Sequence, residues 1–212
     1  MTEPVQTEID VRTLPLAQFI ESAAGKTPTP GGGSIAAAAG AMGTAMFAMA
    51  VNYSRGSDKF KAVAPVMDPL ADELTRARAM FLTLLSEDMA AFAQWQSAWR
   101  MDKADAGRPE AMQIATATAI AVPQEMAALC LSLLAMIADV IDKINARLLS
   151  DVGVAAVTLE AAMRSAHYNI KANLSSLESE AERAGLRDEM AQQTRRAAEL
   201  LAQIEKKLAA AS

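Results

Sequence analysis

A few aspartates and asparagines, one histidine and a run of three glycines are the residues whose types and spacing bear on chemistry. Asp88 lies in SEDMAAFAQW, flanked by apolar residues in a stretch that reads as mid-helix, where aspartate has poor propensity. Acid-base work would explain it there, and so would a solvated helix face. Asp151 follows Ser150 in LLSDVGVAAV, where a first-turn acid also complements a helix dipole. Asn145, Asn169 and Asn173 are ligand hydrogen-bonders or helix-terminus polar groups, and the last two share a face at i, i+4. His167, in RSAHYNIKAN, is the one histidine and is expected to be structural. No CxxC, HExxH or histidine-activated nucleophile signature is present, so no metal is expected.

Residues 27–56, TPTPGGGSIAAAAGAMGTAMFAMAVNYSRG, set three glycines and a serine before a run of small apolar residues. PGGGS is neither a phosphate-binding GxxxxGK[ST] loop nor a GxGxxG fingerprint. It offers bare backbone N–H groups at the positive end of a helix, suited to carboxylate or carbonyl oxygens. A tight start to the helix would use the same residues.

The elements that must position these groups follow from composition and periodicity. With 212 residues, 52% hydrophobic and 4% aromatic, abundant alanine and 13 methionines, the chain predicts an all-α single domain of five to six closely packed helices. Its formal charge of -5 argues against nucleic-acid binding. Cys130, in an apolar run, has no disulfide partner, and the N-terminus carries no secretory signal, so a cytoplasmic location is expected. The uncharged stretch Gly31 to Ser54 is long enough to span a membrane but is made of Ala and Gly, so no membrane partner is expected.

Residues 1–14 are expected to be a flexible segment and 15–212 the helical domain. A first helix covers Leu16 to Ala24 with Phe19 and Ile20 inward, and a second starts at Ser34 as N-cap with Met42, Met46 and Met49 in the core. Gly40, Gly43, Ala36 and Ala50 would admit a close neighbour. A third spans about Lys59 to Met101, and a fourth runs from Pro109 to about Leu149, kinked or broken near Pro123. A fifth, capped by Ser150, reaches Leu177, and the last covers Ser179 to Ala210, packing on its own domain or on a second subunit.

The order TPTPGGGS, an Ala/Gly helix, SEDMAAF, a proline-interrupted apolar helix with VPQEMA, then N-x(4)-SDVGVAA and AxxNIKAN resembles the C-terminal family of formiminotransferase-cyclodeaminases. That family includes formiminotetrahydrofolate cyclodeaminases and stand-alone methenyltetrahydrofolate cyclohydrolases. The likeness runs from about Leu16 to Leu177. It implies an all-helical homodimer binding a tetrahydrofolate substrate near the glycine loop, with no further cofactor. Carried onto this chain, it implies Asp88, with Asp151 in support and Lys59, as catalytic residues. Pro30, Gly31, Gly32, Gly33, Ser34, Asn145, Ser150, Asn169 and Asn173 are the implied substrate-binding residues.

With no room for a transferase portion, the expected activity is the cyclohydrolase, interconverting 5,10-methenyltetrahydrofolate and 10-formyltetrahydrofolate. The alternatives are the cyclodeaminase, which releases ammonia, and a catalytically silent member binding folate or a protein. One departure bears on this choice. Where family members carry a GKKKY-type stretch, this chain has GSDKF, keeping Gly56 and Lys59 but placing Ser57 and Asp58 for lysines and Phe60 for tyrosine. An aspartate there weakens attraction for a polyglutamate tail. A changed substrate, a single-glutamate folate or lost activity would each fit that change.

Overall fold

A computed structural model describes residues 10–210. Six helices carry the fold: α1 (Leu16–Ala24), α2 (Gly32–Asn52), α3 (Ala64–Arg100), α4 (Arg108–Val140), α5 (Leu149–Asn173) and α6 (Glu180–Ala210). Short 3-10 turns join several of them, and no strand occurs among the described residues. The architecture is a single all-α domain, as expected, with one main core running through α2 to α6.

The packing centre is α2, held between α3 and α5. Its buried face is built from Ala36, Ala37, Gly40, Gly43, Phe47 and Ala50, which lets neighbours approach closely. A Cβ on Gly40 would lie 2.4 Å from Phe81 Cε1 of α3, so the ring occupies the space that a side chain would need. A Cβ on Gly43 would lie 2.9 Å from Leu159 Cγ of α5. Because Gly40 meets Phe81 and Gly33 meets Asp88, α2 and α3 run antiparallel. Likewise Gly32 lies by Asn169 and Ser54 by Asn145, so α2 and α5 run antiparallel.

Several expectations are corrected. Phe19 is buried but Ile20 is 57% exposed. Ser34 is not the N-cap of α2: the helix begins at Gly32 with Gly31 as its cap, and the serine hydroxyl is turned inward to a partner on α3. Met42 is 52% exposed, whereas Met46 is half-buried against the core and Met49 is half-buried; the fully buried face is made mostly of small residues. The third helix starts at Ala64, since Asp58–Phe60 forms its own 3-10 turn. α4 runs through Pro123, which is buried with Val122 and Met126, so packing carries the helix across the missing hydrogen bond. It ends at Val140, well before Leu149, and two 3-10 turns follow. The second of these leads directly into α5 at Leu149, leaving Ser150 inside the helix instead of capping it. α5 ends at Asn173, short of Leu177, where another 3-10 turn takes over.

α6 packs on its own domain: Ala197, Leu200 and Ile204 are buried, and Lys207 Nζ donates to Asp142 Oδ2 at 2.6 Å and to the Ala138 carbonyl at 3.0 Å. Of the N-terminal segment expected to be flexible, residues 1–9 lie outside the described residues. Residues 10–14 contain a turn in which Asp10 accepts from the Arg12 N–H and Val11 is buried. Two helical stretches, Gly32–Asn52 and Arg108–Lys143, are long and apolar enough to cross a membrane by length and composition alone. Half or more of each apolar window is buried within the bundle.

Candidate active site

The first turn of α2 is where backbone donors, a carboxylate and an amide converge. The N–H groups of Gly32, Gly33 and Ser34 precede the first helical hydrogen bond, from the Ile35 N–H to the Gly31 carbonyl at 3.0 Å. Over this turn lies Asp88 of α3. Its Oδ2 accepts from the buried Ser34 hydroxyl at 2.8 Å, and a Cβ on Gly33 would stand 1.9 Å from its Oδ1. Gly33 is therefore required by close approach: any larger residue would evict the carboxylate.

Asp88 thus acts toward α2 as a side-chain acceptor that Gly31 lacks, across 54 residues of sequence. Burial raises its pKa above the ordinary carboxylate value, outweighing the Ser34 hydrogen bonds that favour the ionised form. A half-buried carboxylate so tuned holds a proton to higher pH and can exchange it with a bound ligand.

α5 supplies the third side. Asn169 Oδ1 would lie 3.2 Å from a Cβ on Gly32, while its amide nitrogen donates to the Ser165 carbonyl at 2.9 Å. Asn173, one turn on, donates to the Asn169 carbonyl at 2.9 Å. Pro30 is buried immediately before the turn. Pro30 and Met89 wall an open cavity of about 500 Å³ with Leu14, Gln18 and Thr29. The N-terminal turn at Val11 and α1 complete its rim, a contribution for which the only sequence signal is the Asp10–Arg12 pairing.

Lys59, Asn145, Ser150 and Asp151 are not in this place. They lie at the other end of the α2–α5 pair, since Asp151 to Asn169 is eighteen residues of α5, about 27 Å. There Asn145 donates its backbone N–H to Ser54 Oγ at 2.7 Å, and its Oδ1 accepts from the Arg147 N–H at 3.2 Å, capping a 3-10 turn. Asp151 is half-buried in the first turn of α5, while Ser150 and Lys59 are exposed. Lys59 Nζ lies 5.3 Å from the Phe60 ring centroid. The residues expected to form one site therefore form two groups within a chain.

His167 joins neither group. It is buried against α6, Nε2 2.7 Å from Gln193 Oε1, and burial lowers its pKa. Gln193 in turn donates to Glu189, which also accepts from Gln124 of α4. This network ties three helices and is structural. The Cys130 thiol is buried and its pKa is pushed up, which leaves it unreactive. Among the described residues no group of three or more His, Cys, Asp or Glu is placed to hold a metal ion.

A family model described as formiminotransferase-cyclodeaminase matches residues 15–192. A methenyltetrahydrofolate cyclohydrolase of Methylorubrum extorquens is 30% identical over 167 residues, 77% of this chain and 80% of that protein. A formimidoyltransferase-cyclodeaminase of Gallus gallus is 30% identical over 172 residues, 79% of this chain but 32% of its own length, so the chain spans about a third of it. A crystal structure of formiminotetrahydrofolate cyclodeaminase from Thermotoga maritima is similar at a TM-score of 0.85 and 26% identity, covering 94% of this chain and 98% of that one. The family match spans both ends of the α2–α5 pair, Asp88 and Asp151 included, and the chain belongs to the formiminotransferase-cyclodeaminase family.

Proposed function

We propose that this chain is a methenyltetrahydrofolate cyclohydrolase with Asp88 as its acid-base group. The observation that carries the proposal is the Asp88 carboxylate, raised in pKa and seated on the first turn of α2 beside Ser34 and Asn169. The similar cyclohydrolase is 30% identical over four-fifths of its length, against 26% for the solved cyclodeaminase, and that higher identity supports this activity. In the reaction, water adds to the carbon that bridges two nitrogens in the methenyl substrate, and Asp88 accepts the water proton. The tetrahedral adduct then breaks one carbon–nitrogen bond, the leaving nitrogen takes up a proton, and 10-formyltetrahydrofolate results. A carboxylate so placed stabilises the cationic carbon before attack and holds the proton after it. The substrate brings its own one-carbon unit, so the step needs no metal or nucleotide.

Formiminotetrahydrofolate cyclodeaminase is the second reading, favoured by the solved structure of that activity at 0.85 similarity. Loss of methenyltetrahydrofolate absorbance above the spontaneous rate supports the cyclohydrolase. Ammonia released from formiminotetrahydrofolate, without that loss, would replace it.

The working form is a cytoplasmic homodimer. α2 carries no charged residue, yet Ile35 and Met42 are exposed, and Val154 and Val157 are exposed on the adjoining α5. A second copy covering this apolar face would remove it from water. With the two-fold axis crossing α2 at right angles, the Asp151 end of one chain would stand beside the Asp88 end of the other. Lys59, Asn145, Ser150 and Asp151 would then border a substrate held by Asp88 across the interface. Sedimentation should give twice the 22.4 kDa chain mass, and a monomer that retains full activity would remove the interface from the account.

A further inference from the structure

Asp88, Phe92, Trp95 and Trp99 recur at i, i+4, i+7 and i+11 along α3, so all four fall on one stripe of the helix. The three rings follow one another: Phe92 and Trp95 are tilted by 31° with centroids 6.4 Å apart, and Trp95 and Trp99 stack 6.5 Å apart with planes inclined by 17°. The register of α2 against α3 puts them past the start of α2, because Asp88 already meets its first turn. Phe92 and Trp99 stay 37% and 58% exposed, and Trp95 Nε1 is buried with no hydrogen-bond partner. Arg108 stands at the far end, its Nη2 donating to the Trp99 carbonyl at 3.4 Å and its Nε buried and unpartnered.

An aromatic stripe used only for packing would be buried, and its indole N–H would have an acceptor. A run of neighbouring rings that remain half open, beginning at a carboxylate and ending at a guanidinium, matches a ligand that is flat in the middle and anionic at one end. We infer that Phe92, Trp95 and Trp99 are the track on which the substrate's aromatic arm lies, with the reacting carbon at Asp88 and a terminal carboxylate toward Arg108. This rests on the folate reading, whose substrate joins its pterin to a p-aminobenzoyl group and a glutamate. The span from Asp88 to Trp99 is about 16 Å along the helix, of the order of that extended arm. Arg108 also supplies a cation for the tail that Ser57 and Asp58 do not.

The test uses the full-length chain. Trp99→Ala should raise KM for methenyltetrahydrofolate about 10- to 100-fold with kcat nearly unchanged, and Trp99→Phe should restore most of the loss. Arg108→Gln should abolish any preference between substrates with and without the glutamate. Trp95 and Trp99 are the only tryptophans, so p-aminobenzoylglutamate alone should protect the intrinsic fluorescence from acrylamide quenching in the wild type and much less in Trp99→Ala. An unchanged KM in an active Trp99→Ala enzyme overturns the track and leaves the cyclohydrolase standing. A wild type inactive on both folates overturns the activity, and protection by p-aminobenzoylglutamate then decides the track by itself. A Trp99→Ala variant that turns monomeric with unaltered fragment protection would reassign the stripe to the subunit interface.

Discussion

The two ends of the α2–α5 pair hold similar polar residues but leave them in different states. At the Asp151 end, Asn145 caps a turn and bonds Ser54, and Asp151 sits in a first turn that it complements electrostatically. At the Asp88 end, Gly33 clears space for a carboxylate whose Oδ2 accepts from the Ser34 hydroxyl, and burial lifts its pKa. What separates the two carboxylates is the setting of each: Asp88 is held over a packed first turn and lifted in pKa by burial, whereas Asp151 stands in the first turn of its own helix. On the proposed reading, proton transfer falls to Asp88, and the Asp151 end would border the site only from a second subunit.

The strongest way to break this contrast is Asp88→Asn. It keeps an acceptor for Ser34 and should stay folded while lowering kcat by at least about 100-fold. If Asp151 borders the site from a second subunit, Asp151→Asn should cost less, about 10-fold. If that end acts across the dimer, mixing the two inactive or weakened variants should restore about a quarter of the wild-type sites, as random re-pairing requires. Mixing that restores nothing would return Asp151 to a structural role within its own chain.

Gly33→Ala sharpens the same comparison sterically. Its Cβ has no room beside Asp88 Oδ1, so activity should fall about tenfold or more along with about 1–3 kcal/mol of stability, read by kcat and chemical denaturation. Gly32→Ala meets only Asn169 Oδ1 at 3.2 Å and should disturb substrate KM more than folding. At the other end, Asn145→Ala should cost about 1 kcal/mol through the lost cap, with kcat within a few-fold of wild type.

The smallest effect is on stability against pH. With the folded pKa of Asp88 above its unfolded value, its contribution is fully present below the unfolded pKa and is lost as pH rises through the folded one. Asp88→Asn should therefore have an equal or higher Tm at neutral pH and a flatter Tm profile across that window. A variant less stable at neutral pH would mean that the charged carboxylate's bonds to α2 outweigh its burial.

Much of the fold is legible in the sequence, and what is not has physical reasons. α1 spans the residues its pattern indicates, and Ala36, Gly40, Gly43 and Ala50 form the close-packed face that their size suggests. Ser34 was misplaced as a cap because a hydroxyl before an apolar run has the same local signature whether it closes its own helix or turns toward a carboxylate 54 residues away. Met42 departs from the core while Met46 packs on it, because apolar residues at helical spacing mark a face without saying how far another helix of the same chain covers it. The two-ended arrangement of the site residues depends on the antiparallel course of α5 along α2, which no local pattern carries. The aromatic stripe beyond Asp88 could have been found from its i+4, i+7, i+11 spacing, although its exposure could not.

On the proposed mechanism the half-buried carboxylate of Asp88 carries the proton. The most direct measurement is the pH dependence of kcat/KM for methenyltetrahydrofolate, corrected for spontaneous hydrolysis, in wild type and in Asp88→Asn side by side. An ionisation above the ordinary carboxylate range that governs the wild-type rate and vanishes in the variant is the expected result. The same ionisation persisting in the variant, at a comparable rate, would contradict the account and place the proton on another group.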